Sequence, residues 1–147
     1  MAWDFRSNLE WPHLADAEPS LHEHEGCQTR LPSYIAPLPP DLDPDISQFL
    51  HRKGALSLPT PTIRDELMRV YVCYVHPFLP LLDLGAFVKA IAGQDETCKI
   101  SLILFQAVMF AGAPFVDMSC LESEDFQDRK QARKALFGRV RVRHIDL

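Results

Sequence analysis

Apolar residues recur at steps of three and four along one stretch of the chain: Ile63, Leu67, Val70, Tyr71, Tyr74, Val75 and Phe78. That spacing predicts an amphipathic helix with one broad buried face. Thr60 and Pro61 mark its start. A threonine oxygen accepts a free backbone N–H, and proline needs none at the first helical position. Asp65 and Glu66 fall in the early turns, where the helix dipole favours negative charge. Pro77 and Pro80 then predict a corner. Asp83 is placed to cap a second helix through Leu84, Phe87, Val88 and Ile91, with Gly93 just past its end. Upstream, Asp43 and Pro44 open a short helix with Ile46, Phe49 and Leu50 on its buried side, closed by Gly54.

Residues 99–112, KISLILFQAVMFAG, follow a different rule. Leu102, Ile103, Leu104, Phe105, Val108, Met109 and Phe110 leave almost no polar face. A helix apolar all round must be surrounded by protein. Ala111, Gly112 and Ala113 permit close helix approach, and Pro114 ends the run. The last helix is expected to start near Ser123 or Asp125, with Phe126, Ala132, Ala135, Leu136 and Val140 on a modest apolar side. From Arg139 to Arg143 arginines alternate with valines, which weakens the helical pattern there. The pattern as a whole predicts an all-α fold of about five helices in residues 31–147.

Residues 1–30 show no sustained period. Acids alternate with large apolar groups (Trp3, Asp4, Phe5, Leu9, Glu10, Trp11, Leu14, Asp16), which predicts a disordered acidic and aromatic leader. A segment that folds on a partner is the sharper reading of the same composition. Pro32, Pro37, Pro39, Pro40 and Pro44 make the next stretch extended. Pro37 and Pro40 form a PxxP, but no base is placed to orient such a ligand, so a stiff connector is the reading adopted.

Net charge is −5, which argues against the whole chain as a nucleic-acid magnet. The charge is uneven. Residues 1–50 hold nine acids and only Arg6 and Arg30 as bases, whereas residues 129–143 hold Arg129, Lys130, Arg133, Lys134, Arg139, Arg141 and Arg143. That basic helix suits phosphate contact or a nuclear address, though a solvated face is the commoner outcome. Cys27, Cys73, Cys98 and Cys120 are far apart, which suits reduced thiols inside a cell. No basic region followed by an apolar run opens the chain, so no signal peptide is expected. The apolar run from Ile100 to Val116 contains Ser101, Gln106, Gly112 and Pro114, and no membrane span is expected.

Candidate chemistry is thin. Cys73 and His76 are three apart on the anchor helix, where a nucleophile and base can meet. Apolar neighbours and the lack of an orienting group favour a packed cysteine and a helix-end histidine. His22, His24 and Cys27, with His13 nearby, are zinc-type ligands whose spacing fits no standard finger. No catalytic, cofactor-binding or metal residue is assigned, and no cofactor is expected in this chain.

One magnitude bears on completeness. Burying each of the seven large side chains of 99–112 contributes roughly 1.5–3 kcal/mol. With about half exposed, roughly 5–10 kcal/mol is missing, against about 5–15 kcal/mol for a whole native protein. About 35 residues follow this helix, most of them one charged helix. The expectation is a chain that is marginal, sticky or self-associating alone.

Together these residues resemble a known family. LPSYIAPLPPDLDPDISQFLHRKGALSLPTPTIRDELMRVYVCYVHPFLPLLDL resembles the opening of the fungal-specific transcription factor regulatory domain, most nearly in the cutinase transcription factor group. SLILFQAVMFAGAPFVDM and then DRKQARKALFGRVR resemble its next helices, so the likeness runs from about Leu31 to Arg143. Its specific parts are Tyr74 to Asp83 and Leu104 to Asp117. The resemblance implies the N-terminal part of a larger helical domain in a nuclear regulator. It also implies DNA binding in relatives through a separate six-cysteine binuclear zinc cluster. No CxxC pair occurs here and only Cys27 precedes the domain, so that cluster is absent and no zinc or DNA residue carries over. The family domain normally continues for many more helices beyond the position of Leu147.

The resulting expectation is a truncated piece or short form of a fungal transcription regulator, not an enzyme. It would act in the nucleus through protein partners, full-length relatives and self-association among them. DNA is associated with the family but not expected of this chain alone. The competing classes are a DNA-binding protein using the 129–143 helix and, further off, an enzyme using Cys73 and His76.

Overall fold

The computed structural model describes residues 31–94, 97–123 and 126–145. The leader and the His13, His22, His24 and Cys27 group lie outside the described residues. Among the described residues six α-helices follow one another: α1 Pro44–Arg52, α2 Pro61–Val70, α3 Leu84–Ile91, α4 Leu102–Gly112, α5 Met118–Glu122 and α6 Arg129–Ile145. A π-helical turn, Tyr71–Val75, extends α2, and a 3-10 turn, Ala113–Phe115, extends α4. No strand occurs among the described residues. One parallel bridge pairs Ile35 with Ile100.

Local chemistry accounts for the ends. The Asp43 carboxylate accepts from the Asp45 N–H at 2.8 Å, and Pro44 takes the first position of α1. Gly54 closes α1 at φ 66°, a left-handed conformation that glycine adopts without a Cβ clash. Asp83 caps α3 through the Ala86 N–H at 3.0 Å, and Gly93 follows at φ 67°. Ser101 caps α4 through the Leu104 N–H at 3.3 Å. Asp128 accepts from the Gln131 N–H at 2.6 Å, while Gln131 Oε1 accepts from the Gln127 N–H at 2.7 Å, so two free donors at the start of α6 are satisfied together.

Four sequence expectations change. Thr60 occupies the cap position of α2, but its side chain makes no cap hydrogen bond. The chain from Thr60 to Phe78 is not one α-helix, because the His76 N–H bonds back to the Tyr71 carbonyl, five residues earlier, at 2.9 Å. Pro77 supplies the reason: in an α-helix its ring would clash with the carbonyl four residues before it, at Cys73, and a wider turn relieves that clash. The last helix starts at Arg129, not near Ser123 or Asp125, and runs through the arginine–valine alternation to Ile145. Phe126 therefore lies before α6. The short helix α5 had no counterpart in the periodic pattern, since five residues span little more than one turn.

The core is built round α4. Phe105 is fully buried, with the Tyr34 ring at 5.5 Å on one side and the Phe87 ring at 6.5 Å on another. Gly112 meets α2 backbone to backbone: a Cβ built there would lie 2.5 Å from the Leu67 carbonyl oxygen. Gln106, the polar residue of the apolar run, is buried and donates Nε2–H to the Ala55 carbonyl at 2.8 Å. Leu102, Phe105, Val108 and Met109 are buried, Ile103 and Phe110 are half-buried, and Leu104 is exposed. Three of the seven large side chains thus keep some exposure, fewer and less fully than the expected half. The π turn, α2 and α6 already enclose it.

Candidate interaction surfaces

The most exposed large apolar side chains lie elsewhere, at the corner after the π turn. Phe78 is 82%, Leu79 57% and Leu81 84% exposed. Their backbone is held in place. The Phe78 and Leu79 N–H groups both donate to the Val75 carbonyl, at 3.1 and 2.9 Å, and the Leu81 N–H donates to Leu79 at 2.8 Å. Pro77 and Pro80 fix φ between these bonds. Full burial of each such side chain contributes roughly 1.5–3 kcal/mol, so a partner that covers all three gains several kcal/mol. Close before the corner, Tyr74 stacks on Phe115 at 5.5 Å, and both rings are partly open to solvent.

Cys73 and His76 are both half-buried, and no hydrogen bond joins them. His76 Nδ1 is buried without a hydrogen-bond partner, and its ring lies 6.2 Å from that of Tyr71. The π turn explains the separation, because residues five apart align on it and residues three apart diverge. No signal in the spacing alone reveals a π turn; the nearest clue is Pro77, one residue after His76.

A second surface is the outer face of α6. Ala132 and Leu136 are buried, and Lys130, Arg133, Lys134, Phe137 and Arg141 are exposed at steps of three and four. The helix runs antiparallel to α4, since Arg129 Nε donates to the Val116 carbonyl at 2.9 Å and Phe137 meets Phe110 at 5.6 Å. The Arg133 guanidinium lies 6.0 Å from the centre of the Phe110 ring. Among the described residues, no carboxylate pairs with Lys130, Arg133, Lys134 or Arg141. Among the described residues an ion pair lies on α2, where Arg69 grips Glu66 with bonds of 2.6 and 2.8 Å.

A groove of about 630 Å³ lies between the proline run and Lys99, lined by Pro32, Ile35, Leu38 and His51. Lys99 Nζ donates to the Ser33 carbonyl at 2.6 Å. Among the described residues no group of three or more His, Cys, Asp or Glu gathers. No helix among them is long and apolar enough to cross a membrane.

Comparison with known proteins finds fungal transcription factors among the homologues. The chain is 44% identical over 146 residues to a transcription factor of Fusarium pseudograminearum, which covers 97% of this chain and 16% of that protein. It is 40% identical over 121 residues to cutinase transcription factor 1 beta of Fusarium vanettenii, covering 82% of this chain and 14% of that one. Transcription factor cpaR of Aspergillus oryzae is 34% identical over 127 residues, 86% of this chain and 21% of its own length. The chain thus spans between 14% and 21% of the length of these relatives. No family model matches the chain, and no solved structure does.

Proposed function

We propose that this chain, a homologue of fungal transcription factors, is part of a transcription regulator and acts in the nucleus through protein contacts. The names of the relatives support regulation of transcription. The proline-braced corner supports contact as its mode, with Phe78, Leu79 and Leu81 standing in solvent. A rigid apolar projection loses little conformational entropy on docking, which is the physical advantage of bracing it. Its partners on this reading are full-length relatives and further copies of the chain.

The test is a reporter assay in a fungal host, with the full chain fused to an unrelated DNA-binding domain. The native chain is expected to change reporter output, and the variant Phe78→Ser, Leu79→Ser, Leu81→Ser is expected to lose that effect while keeping its helical circular dichroism. A native fusion with no effect on the reporter, or a variant as active as the native chain, defeats the reading. A fluorescent fusion that stays out of the nucleus defeats its nuclear half.

A further inference from the structure

The outer face of α6 carries four cations at helical spacing with an exposed aromatic ring among them, and no described carboxylate answers them. Residues 1–25 of the same chain have the complementary composition. They hold Asp4, Glu10, Asp16, Glu18, Glu23 and Glu25 against the one base Arg6, and interleave Trp3, Phe5 and Trp11. We propose that residues 1–25 dock on the outward face of α6, with their carboxylates against Lys130, Arg133, Lys134 and Arg141 and an aromatic side chain against Phe137. This inference does not rest on the transcriptional reading.

Three observations carry it. The first is charge complementarity: α6 holds seven bases and no acid, and the facing segment is net −5 from six acids and one base. The second is composition: Phe137, 48% exposed, and the half-buried Phe110 open an aromatic surface among the cations, which suits aromatic and cation–π contact. The third is position. Because α6 runs antiparallel to α4, its C-terminal end points toward the N-terminal end of α4, where Ile35 pairs with Ile100. Leu31 enters the fold at that end of the bundle. The 20 residues between Trp11 and Leu31 span at most about 66 Å, and α6 is about 25 Å long, so reach is no constraint. Covalent attachment gives the segment an effective concentration of about millimolar, enough for weak exposed charge pairs to act together.

The chain carries its own reporter, because both of its tryptophans, Trp3 and Trp11, lie in this segment. Tryptophan emission and acrylamide quenching of the full chain therefore follow the segment alone. At about 0.01 M ionic strength, where screening acts over about 30 Å, the tryptophans should be protected and blue-shifted. At about 1 M, where it acts over about 3 Å, protection should fall. The variant Lys130→Glu, Arg133→Glu, Lys134→Glu, Arg141→Glu should lower the docked-to-free ratio by about tenfold or more even at low salt. These side chains face solvent, and far-UV circular dichroism checks that the helices persist. A second variant leaves the described fold untouched: Asp4→Asn, Glu10→Gln, Asp16→Asn, Glu18→Gln should expose the tryptophans equally.

Quenching that is the same in the native chain and both variants overturns the proposal. So does protection that appears only as protein concentration rises, because the occupant is then a second copy. A duplex DNA separates the remaining alternative. If the segment covers α6, neutralising its acids should tighten DNA binding by about tenfold; if DNA binds the native chain and the acid variant alike, the stripe is a phosphate surface that the segment leaves open, and the proposal fails.

Discussion

Two helical glycines on neighbouring helices have opposite surroundings. A Cβ at Gly112, the last residue of α4, would lie 2.5 Å from the Leu67 carbonyl oxygen and 3.2 Å from Val70 Cγ2. A Cβ at Gly138, inside α6, would meet nothing within 4 Å. The first glycine exists so that two backbones can touch. The second has no packing reason. The contrast extends to the whole helices: α4 buries six of its 11 residues, and α6 is attached by the narrow stripe of Ala132 and Leu136 with Lys130, Arg133, Lys134 and Arg141 outward. An apolar helix and a basic helix sit side by side because α6 needs only one small face to cover α4.

The contrast is open to attack by substitution, from the strongest effect down. Phe105→Ala empties the space between Tyr34 and Phe87 and should cost about 3–5 kcal/mol in urea unfolding. Gly112→Ala pushes a methyl into the backbone of α2, which has no flexible side chain to yield there, and should cost about 1–3 kcal/mol or more despite the better helix propensity of alanine. Asp128→Ala removes the cap of α6 and should cost about 0.5–2 kcal/mol, with the loss confined to α6 amides in hydrogen exchange. Gly138→Ala should change the sign of the effect and stabilise by about 0.4–1 kcal/mol in thermal unfolding. If Gly112→Ala and Gly138→Ala behave alike, the enclosed and attached helices are not distinct.

The smallest effect at ordinary pH comes from Tyr34, against the Phe105 ring. Burial pushes its phenol above the usual 10.0, while the Arg64 guanidinium, donating to the hydroxyl at 3.2 Å, partly opposes this. The folded chain then holds this proton more tightly than the unfolded one. The contribution is fully present below pH 10 and is lost as pH rises from there through the higher folded value. Stability should therefore decline above pH 10, and Tyr34→Phe should flatten that part of the decline; an unchanged alkaline slope in the variant rules the assignment out.

How much was legible follows from how local each cause is. Asp43, Asp83 and Gly93 were readable because a cap and a left-handed glycine act within one turn. The end of α4 was readable from Gly112 and Pro114. The π turn was not, since the clash of Pro77 with the carbonyl of Cys73 is apparent in sequence but its relief by widening, not kinking, depends on what packs against Tyr71 and Val72. The pairing considered for Cys73 and His76 assumed α-helical spacing, which the π turn replaces. Nor was the enclosure of α4 legible. Counting residues after it suggested too few neighbours, because the count left out how well α2, the π turn and Phe87 from α3 already surround it.

The sequence by itself determined that the described chain is helical, where most of its helices begin, and which helix is wholly apolar, because capping, proline and periodicity work through neighbours along the chain. It also carried the likeness to fungal transcription factors. Only the tertiary structure decided where apolar surface is left over. Burial depends on residues far apart in sequence, and it moved the exposed apolar patch from the greasy helix to three residues at a proline corner.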